Sequence, residues 1–280
     1  MMKNTVMKNL LLSLFIILIS AFSNYASATV IEGGVNTNET FKTFNTVIDK
    51  TTRKPVPNVR ICIPSKNYTV YSDINGHFEI KPIINGQTIL SAEKNSYKPF
   101  SMTISRDANS RALTVEIEPS TPFDVMLETV LCHIGDNNFS TVSANAGQFQ
   151  GKAIGPVYNK TVTIHACAQT KQPYLVIGSI IGIDTALARG MGQNGITTSF
   201  ASPPSVYLNG HKIAEIQING DNQKIKLPKQ FIKFNQQNII TIKAGRNLMQ
   251  TAYVDYDDIE FMNLTIQNYD IHNSQHISAK

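Results

Sequence analysis

Tyr71-Ser72-Asp73-Ile74-Asn75-Gly76-His77-Phe78-Glu79-Ile80 is the stretch on which the fold turns. Strand-like runs at 68–72 and 77–80 flank Asn75-Gly76, and both of those turn residues tolerate positive φ. An Asn-Gly pair between two such runs is the strongest short-range signal for a hairpin. Outward from it, further runs stand at 46–49 and 59–64 on one side, and at 88–93, 98–105 and 112–118 on the other. Pro55, Pro57 and a second pair, Asn85-Gly86, divide them. Short strands with a turn about every ten residues predict a small seven-stranded antiparallel sandwich.

The same residues resemble a known family. Val47-Ile48-Asp49 followed by Lys54-Pro55-Val56-Pro57-Asn58-Val59 is similar to its strand, proline turn, strand opening. Tyr71 to Ile80 resembles its T-D-x-x-G-x-F hairpin, and Ser96-Tyr97-Lys98-Pro99-Phe100 its G-Y-x-P segment, with Ser in place of Gly. Together they resemble the carboxypeptidase regulatory-like domain. That resemblance implies a transthyretin-like (prealbumin-like) sandwich that accompanies other modules, and it implies no peptidase activity.

Glu118-Pro119-Ser120-Thr121-Pro122 reads as a linker. Beyond it come runs at 123–131, 161–168, 174–181, 206–208, 212–218, 239–243 and 259–266, with Asn209-Gly210 and Asn219-Gly220 as turns. Residues 205–213 resemble the v-x-v-N-G hairpin of galactose-binding-like (carbohydrate-binding-module-like) jelly rolls. Residues 237–245 and 255–261 resemble two of their later strands, with Gln237 where Gly is usual. The alternative is a different β-sandwich. The fold expected is therefore all-β: a sandwich over 29–118, a jelly roll over 119–270 and a polar tail over 271–280. The stretch 178–199 is the least strand-like, with a short helical turn expected at 183–189 and a loop at one rim, where binding tends to occur.

The chain of 280 residues carries 25 Lys+Arg and 20 Asp+Glu, with 42% hydrophobic and 16% charged residues. This composition excludes a disordered chain. Lys3 and Lys8, the apolar run 10–22 and Ala26-Ser27-Ala28 form a secretory signal peptide over 1–28. An uncleaved anchor is the alternative, although the run is shorter than the roughly 20 residues that span a bilayer. Removing those two lysines takes the formal charge from +5 to +3. Neither a clustered basic face for nucleic acid nor a later membrane span is present in the sequence. Export places the protein in the periplasm or outside the cell, and the Asn/Ile/Lys-rich composition resembles that of an AT-rich bacterium. The five sequons at Asn38, Asn67, Asn138, Asn159 and Asn263 are therefore expected to stay unmodified.

An oxidising compartment favours a disulfide between Cys132 and Cys167, which would close a loop of about 35 residues. Cys62 is then the odd thiol, either reactive or quietly packed; it shares strand parity with Arg60 and not with the apolar Val59, Ile61 and Ile63.

No catalytic constellation emerges. Gly190-Met191-Gly192-Gln193-Asn194-Gly195 satisfies G-x-G-x-x-G, but β-branched residues and Pro203-Pro204 follow where a phosphate-binding helix would be needed. The histidines (His77, His133, His165, His211, His272 and His276) show no zinc spacing, and His165 and Cys167 on one strand face lie about 7 Å apart, too far to act as a pair. Asp255, Asp257 and Asp258 are the one concentration of acid. They read either as a solvated strand entrance or, with Glu128 on the first jelly-roll strand, as a structural Ca²⁺ site of the kind the resemblance implies. For sugar recognition, which needs flat aromatic faces and polar orienting groups, the candidates are Tyr207, Asn209, His211, Tyr253 and Tyr256. The function expected is an exported, non-catalytic binding or adhesion protein that recognises carbohydrate or a surface glycoconjugate. The alternatives are a structural subunit that takes a protein partner along its sheet edges, and a secreted hydrolase with an unfamiliar site.

Overall fold

The structure, a computed structural model, describes residues 44–140, 143–144, 149, 151–167, 170–194 and 200–270. The leader, Asn38, Gly195, His272, His276 and the tail at 271–280 lie outside the described residues.

The fold is all-β. Its first seven strands are β1 (Asn45–Asp49), β2 (Arg60–Ile63), β3 (Tyr68–Tyr71), β4 (His77–Phe78), β5 (Thr88–Glu93), β6 (Phe100–Ile104) and β7 (Thr114–Ile117). They form the sheets β4-β1-β7 and β3-β2-β5-β6. Alternation does the sorting: in β2, Ile61 and Ile63 are buried while Arg60 and Cys62 stay half-exposed. Val47, Val59, Leu90, Val115 and Ile117 join those isoleucines in the core. At the 73–77 turn, Asp73 Oδ1 accepts from the backbone N–H groups of Asn75 and His77, both at 2.8 Å. Gly76 sits at φ +74°, with Val47 O 2.5 Å from where a Cβ would stand, so glycine is required there. One feature departs from the antiparallel expectation: β1 pairs with β7 in parallel. Five strands separate the two, so no tight turn dictates their relative direction.

The remaining strands are β8 (Val125–Glu128), β9 (Cys132–Ile134), β10 (Val157–Thr163), β11 (Lys171–Ile181), β12 (Ser205–Leu208), β13 (His211–Glu215), β14 (Gly220–Lys226), β15 (Gln237–Lys243) and β16 (Ile259–Asp270), with the helix α1 (Ala186–Gly190). They form the sheets β14-β11-β16-β8, with β9 also on β16, and β10-β15-β12-β13. Leu175, Ile177, Phe261, Leu264 and Ile266 share one core with Val206, Leu208, Ile240 and Ile242. The expected run 123–131 stops at Glu128, and a separate β9 follows; β8 pairs with Leu264–Ile266 and β9 with Ile259–Phe261 of the same β16. Strand β14 was not expected at all; its Gly-Asp-Asn-Gln-Lys-Ile-Lys sequence is polar and lies at a sheet edge.

Strand β16 ties the molecule together. Nine consecutive residues, from Ile259 to Gln267, are buried. A strand covered on both faces explains this: one face meets its own core and the other meets the first sandwich. The change of facing falls at Asn263, at φ +60°, between Met262 and Leu264, which pair with Ser179 and Ile177 of β11. Before it, Ile259 and Phe261 point into the core; after it, Leu264 and Ile266 do. The register with β11 is unbroken there, and the β11 core residues Ile177 and Ile180 change parity in step. Across the seam, Ile89 packs with Ile181 and Met262, flanked by Leu131 and Phe149.

The expected Cys132–Cys167 bridge is absent, and all three cysteines are free thiols. Cys132 pairs with Phe261 near the start of β16, whereas Cys167 Sγ lies 3.8 Å from the carbonyl of Lys171, which pairs with Asp270 at the other end. Nine residues of strand at ~3.3 Å each separate those positions by about 30 Å, far beyond the ~7 Å Cα limit for a disulfide.

Candidate functional site

Three connections meet at one rim of the second sandwich: 135–140 after β9, 182–194 around α1, and 246–258 before β16. Their meeting is arranged by carboxylates. Asp255 accepts from Asn138 Nδ2 (2.8 Å), Ser143 Oγ (2.9 Å), Ala144 N (2.7 Å) and Asn247 Nδ2 (3.0 Å). Asp136 accepts from the Tyr256 backbone N–H at 2.8 Å. Asp184 receives both arms of Arg189, Nε at 2.7 Å and a terminal guanidinium nitrogen at 2.9 Å, and its own N–H donates to Asp257 at 3.1 Å. Asp258 accepts from His133 Nε2 at 2.7 Å and from the Asn137 N–H at 3.0 Å. Thr185 caps α1, its hydroxyl accepting from the Ala188 N–H at 3.0 Å.

The burial of these groups overturns the solvated reading of the acidic run. Asp184, Asp255, Asp257 and Asp258 are each 2% exposed or less. Desolvation disfavours the charged form of a carboxylate. Burial accordingly pushes Asp184 up to about 6 against the pull of Arg189, raises Asp257 well above the carboxylate range, and raises Asp136. Glu260, 2% exposed beside this network, is pushed by burial up to about 7, with the neighbouring His133 pulling it down. For His133, burial opposes the charge, but the bonds to Asp258 and to the Gly151 carbonyl outweigh it and the imidazole is raised.

Glu128 does not join the aspartates. Its Oε2 faces Lys160 Nζ at 3.2 Å and the Tyr158 hydroxyl at 3.4 Å. It pairs with Leu264, five residues along β16 from Ile259, where the aspartates stand. Among the described residues no group of three or more His, Cys, Asp or Glu side chains is arranged to hold a metal ion. The four expected Ca²⁺ ligands are thus split, three in the rim and one on β8, because β8 and β9 are separate strands.

The aromatic candidates also divide. Tyr253 is 54% exposed on the rim, and Tyr256 forms a bridge with Arg246 beside it. The same connections also expose Leu187, Met191, Leu248, Met249 and Val254. Asn209 and His211 lie at the opposite end of the sheet. Asn209, at φ +50°, donates to Phe231 O and Asn238 Oδ1 and accepts from the Ile239 N–H, so it builds the β12–β13 turn. His211 stacks on Phe231 with centroids 4.2 Å apart. Tyr207 lies between the two ends, with Lys243 Nζ 4.7 Å above its ring. Asn209 meets Ile239 while Tyr256 meets Arg246, a separation of about 23 Å along the strand direction at ~3.3 Å per residue.

The rim is therefore a set of fixed loops that present an aromatic ring and apolar side chains. Residues 46–131 match the family model of the CarboxypepD_reg-like domain. The CarboxypepD_reg-like match begins within β1, takes in all seven strands of the first sandwich and ends beyond β8. No curated protein matches the chain. The rim connections at 135–140, 182–194 and 246–258 all lie outside the matched residues. Asp184, Asp136 and His133 were missed from the sequence, since each reaches its partner across 73 to 125 residues. The signal that was available is the expected loop insertion within 178–199.

Proposed function

We propose that this is an exported, non-catalytic binding or adhesion protein, of the surface or secreted kind in which CarboxypepD_reg-like sandwiches are often found. Carbohydrate or a surface glycoconjugate is the ligand class, and the rim of the second sandwich, a galactose-binding-like jelly roll in this reading, is the contact surface. One observation carries it: Tyr253 stands exposed on a loop whose base, Asp255, is held by four donors. A ring fixed in place offers a stacking face at low entropic cost. Catalysis has less support. Among the described residues His133 is the one histidine beside a buried carboxylate at the rim, yet it is 4% exposed and both its ring nitrogens are occupied, by Gly151 O and Asp258. Immobilised glycans and cell-wall fractions test the reading: retention of the protein, lost in Tyr253→Ala, is expected. N-terminal sequencing of the exported protein should begin at Thr29.

A second reading is an assembly subunit of a surface complex. The apolar side chains exposed on the rim connections besides Tyr253 (Leu187, Met191, Leu248, Met249 and Val254) favour it, since interface centres are apolar and aromatic. A stable oligomer with no glycan retention is the outcome that selects it.

A further inference from the structure

A groove of about 630 Å³ runs along the first sandwich, far in sequence from the rim, and both sandwiches contribute to it. Tyr71 on edge strand β3 forms one wall and Met126 on β8 the other; they are 60% and 56% exposed. Among the described residues the Tyr71 ring meets no other ring and its hydroxyl has no hydrogen-bond partner, so no packing role accounts for it. Between the walls lie Arg60 and Glu93, paired at 3.3 Å, with the exposed amide of Asn95 beside them. Lys94 completes the lining. Its Nζ donates to the Pro57 carbonyl at 2.7 Å and has no carboxylate partner, so the three charged groups of the lining leave one cation in surplus.

We infer that this groove is a saccharide site specific for sugars that carry a carboxylate, in which Tyr71 stacks on the ring and Lys94 meets the acid. The chemistry follows from the parts. A free, flat aromatic face suits the apolar face of a pyranose, and the Arg60–Glu93 pair with Asn95 offers donors and acceptors for hydroxyls. An ammonium without an acid partner is the group that distinguishes a uronic acid from its neutral counterpart. The volume lies within the range usual for small-ligand pockets, and the junction of two modules is a usual place for them. The inference rests on the reading of the protein as a saccharide binder, and it places a second, chemically distinct site on the CarboxypepD_reg-like sandwich.

Titration of the full protein with trigalacturonate and with a neutral galactose trisaccharide, followed by calorimetry, separates the possibilities. Binding of trigalacturonate should weaken about tenfold in Tyr71→Ala, the loss of roughly one stacking contact. Lys94→Met should abolish the preference for the acidic sugar and leave the neutral one unchanged. Met126→Arg, on the opposite wall, should also block the groove, and Tyr253→Ala should leave trigalacturonate binding intact. Both replaced walls are exposed, so unchanged melting curves are expected. Trigalacturonate binding that ignores Tyr71, Met126 and Lys94 but fails in Tyr253→Ala would overturn the groove and keep the rim. Retention of other glycans with no trigalacturonate binding would overturn it as well, and no binding of any glycan would remove both readings together.

Discussion

Asp221, on β14 of the second sandwich, accepts the backbone N–H of Thr103 on β6 of the first, at 2.9 and 3.0 Å to its two oxygens. It also accepts the Thr103 hydroxyl at 2.9 Å. A third donor, Ser179 Oγ at 2.7 Å, fixes the carboxylate from its own side. The edge amide of β6 is thereby satisfied by a side chain from the other module, which also closes that edge to a further strand.

Asp221→Ala should therefore loosen the seam. Charged hydrogen bonds are worth more than neutral ones, but this carboxylate is exposed, so the expected cost is about 1 kcal/mol. A lower urea midpoint together with faster proteolysis at the 118–122 connection is the expected result; Asp221→Asn should lose less.

Gly182, at φ +92°, has Phe149 Cζ and the Asp258 carbonyl 2.5 and 2.7 Å from where a Cβ would stand. Gly135 has the Asp258 side chain at 2.3 Å. Alanine at either position must push apart the rim and the start of β16. A loss of about 2 kcal/mol or more is expected in denaturant unfolding, whereas Gly190→Ala, where a Cβ meets open space, should be close to neutral.

The buried acids set the pH response. Glu260 is raised from its ordinary value to about 7 and Asp184 to about 6, both mainly by burial. Their protonated forms suit the fold, so the native state binds more protons than the unfolded chain between about pH 4 and 7. Stability from these groups is full below that window and falls as pH rises through it. His133, raised as well, acts in the same direction, its contribution being lost as pH rises through its folded-state value. Thermal melts at pH 5 and pH 8 should show the protein more stable at pH 5. Glu260→Gln should narrow that difference by raising the pH 8 midpoint, and an unaltered difference would contradict the assignment.

Cys132 is buried and its thiol is pushed up to about 11 by desolvation, with the Glu128 charge adding to it. It should resist alkylation in the native protein at neutral pH. All three thiols should react after unfolding without reductant, and a non-reducing digest should contain no Cys132–Cys167 peptide.

Much of the fold was legible because turn chemistry and alternation are local. Asn75-Gly76 and Asn209-Gly210 sit in turns where they were expected, and 88–93 forms β5 at its expected bounds. What escaped depends on distant partners. The polar β14 is a strand because β11 and the first sandwich cover it, and β16 changes facing at Asn263 because its two faces serve two cores. For the site, the sequence exposed the acidic run and Tyr253 but not their surroundings. Nothing near Asp258 in the chain announces His133, and nothing near Asp257 announces the amide of Asp184. Burial turned an expected solvated or calcium-binding cluster into a brace for loops.

The central claim is that the braced rim holds a sugar through Tyr253. Its most direct measurement is retention of the purified protein on a glycan array, with Tyr253→Ala compared at matched melting temperature. The account predicts a retained glycan whose binding is lost in the variant. An array on which nothing is retained, or on which wild type and Tyr253→Ala give the same pattern, would contradict it.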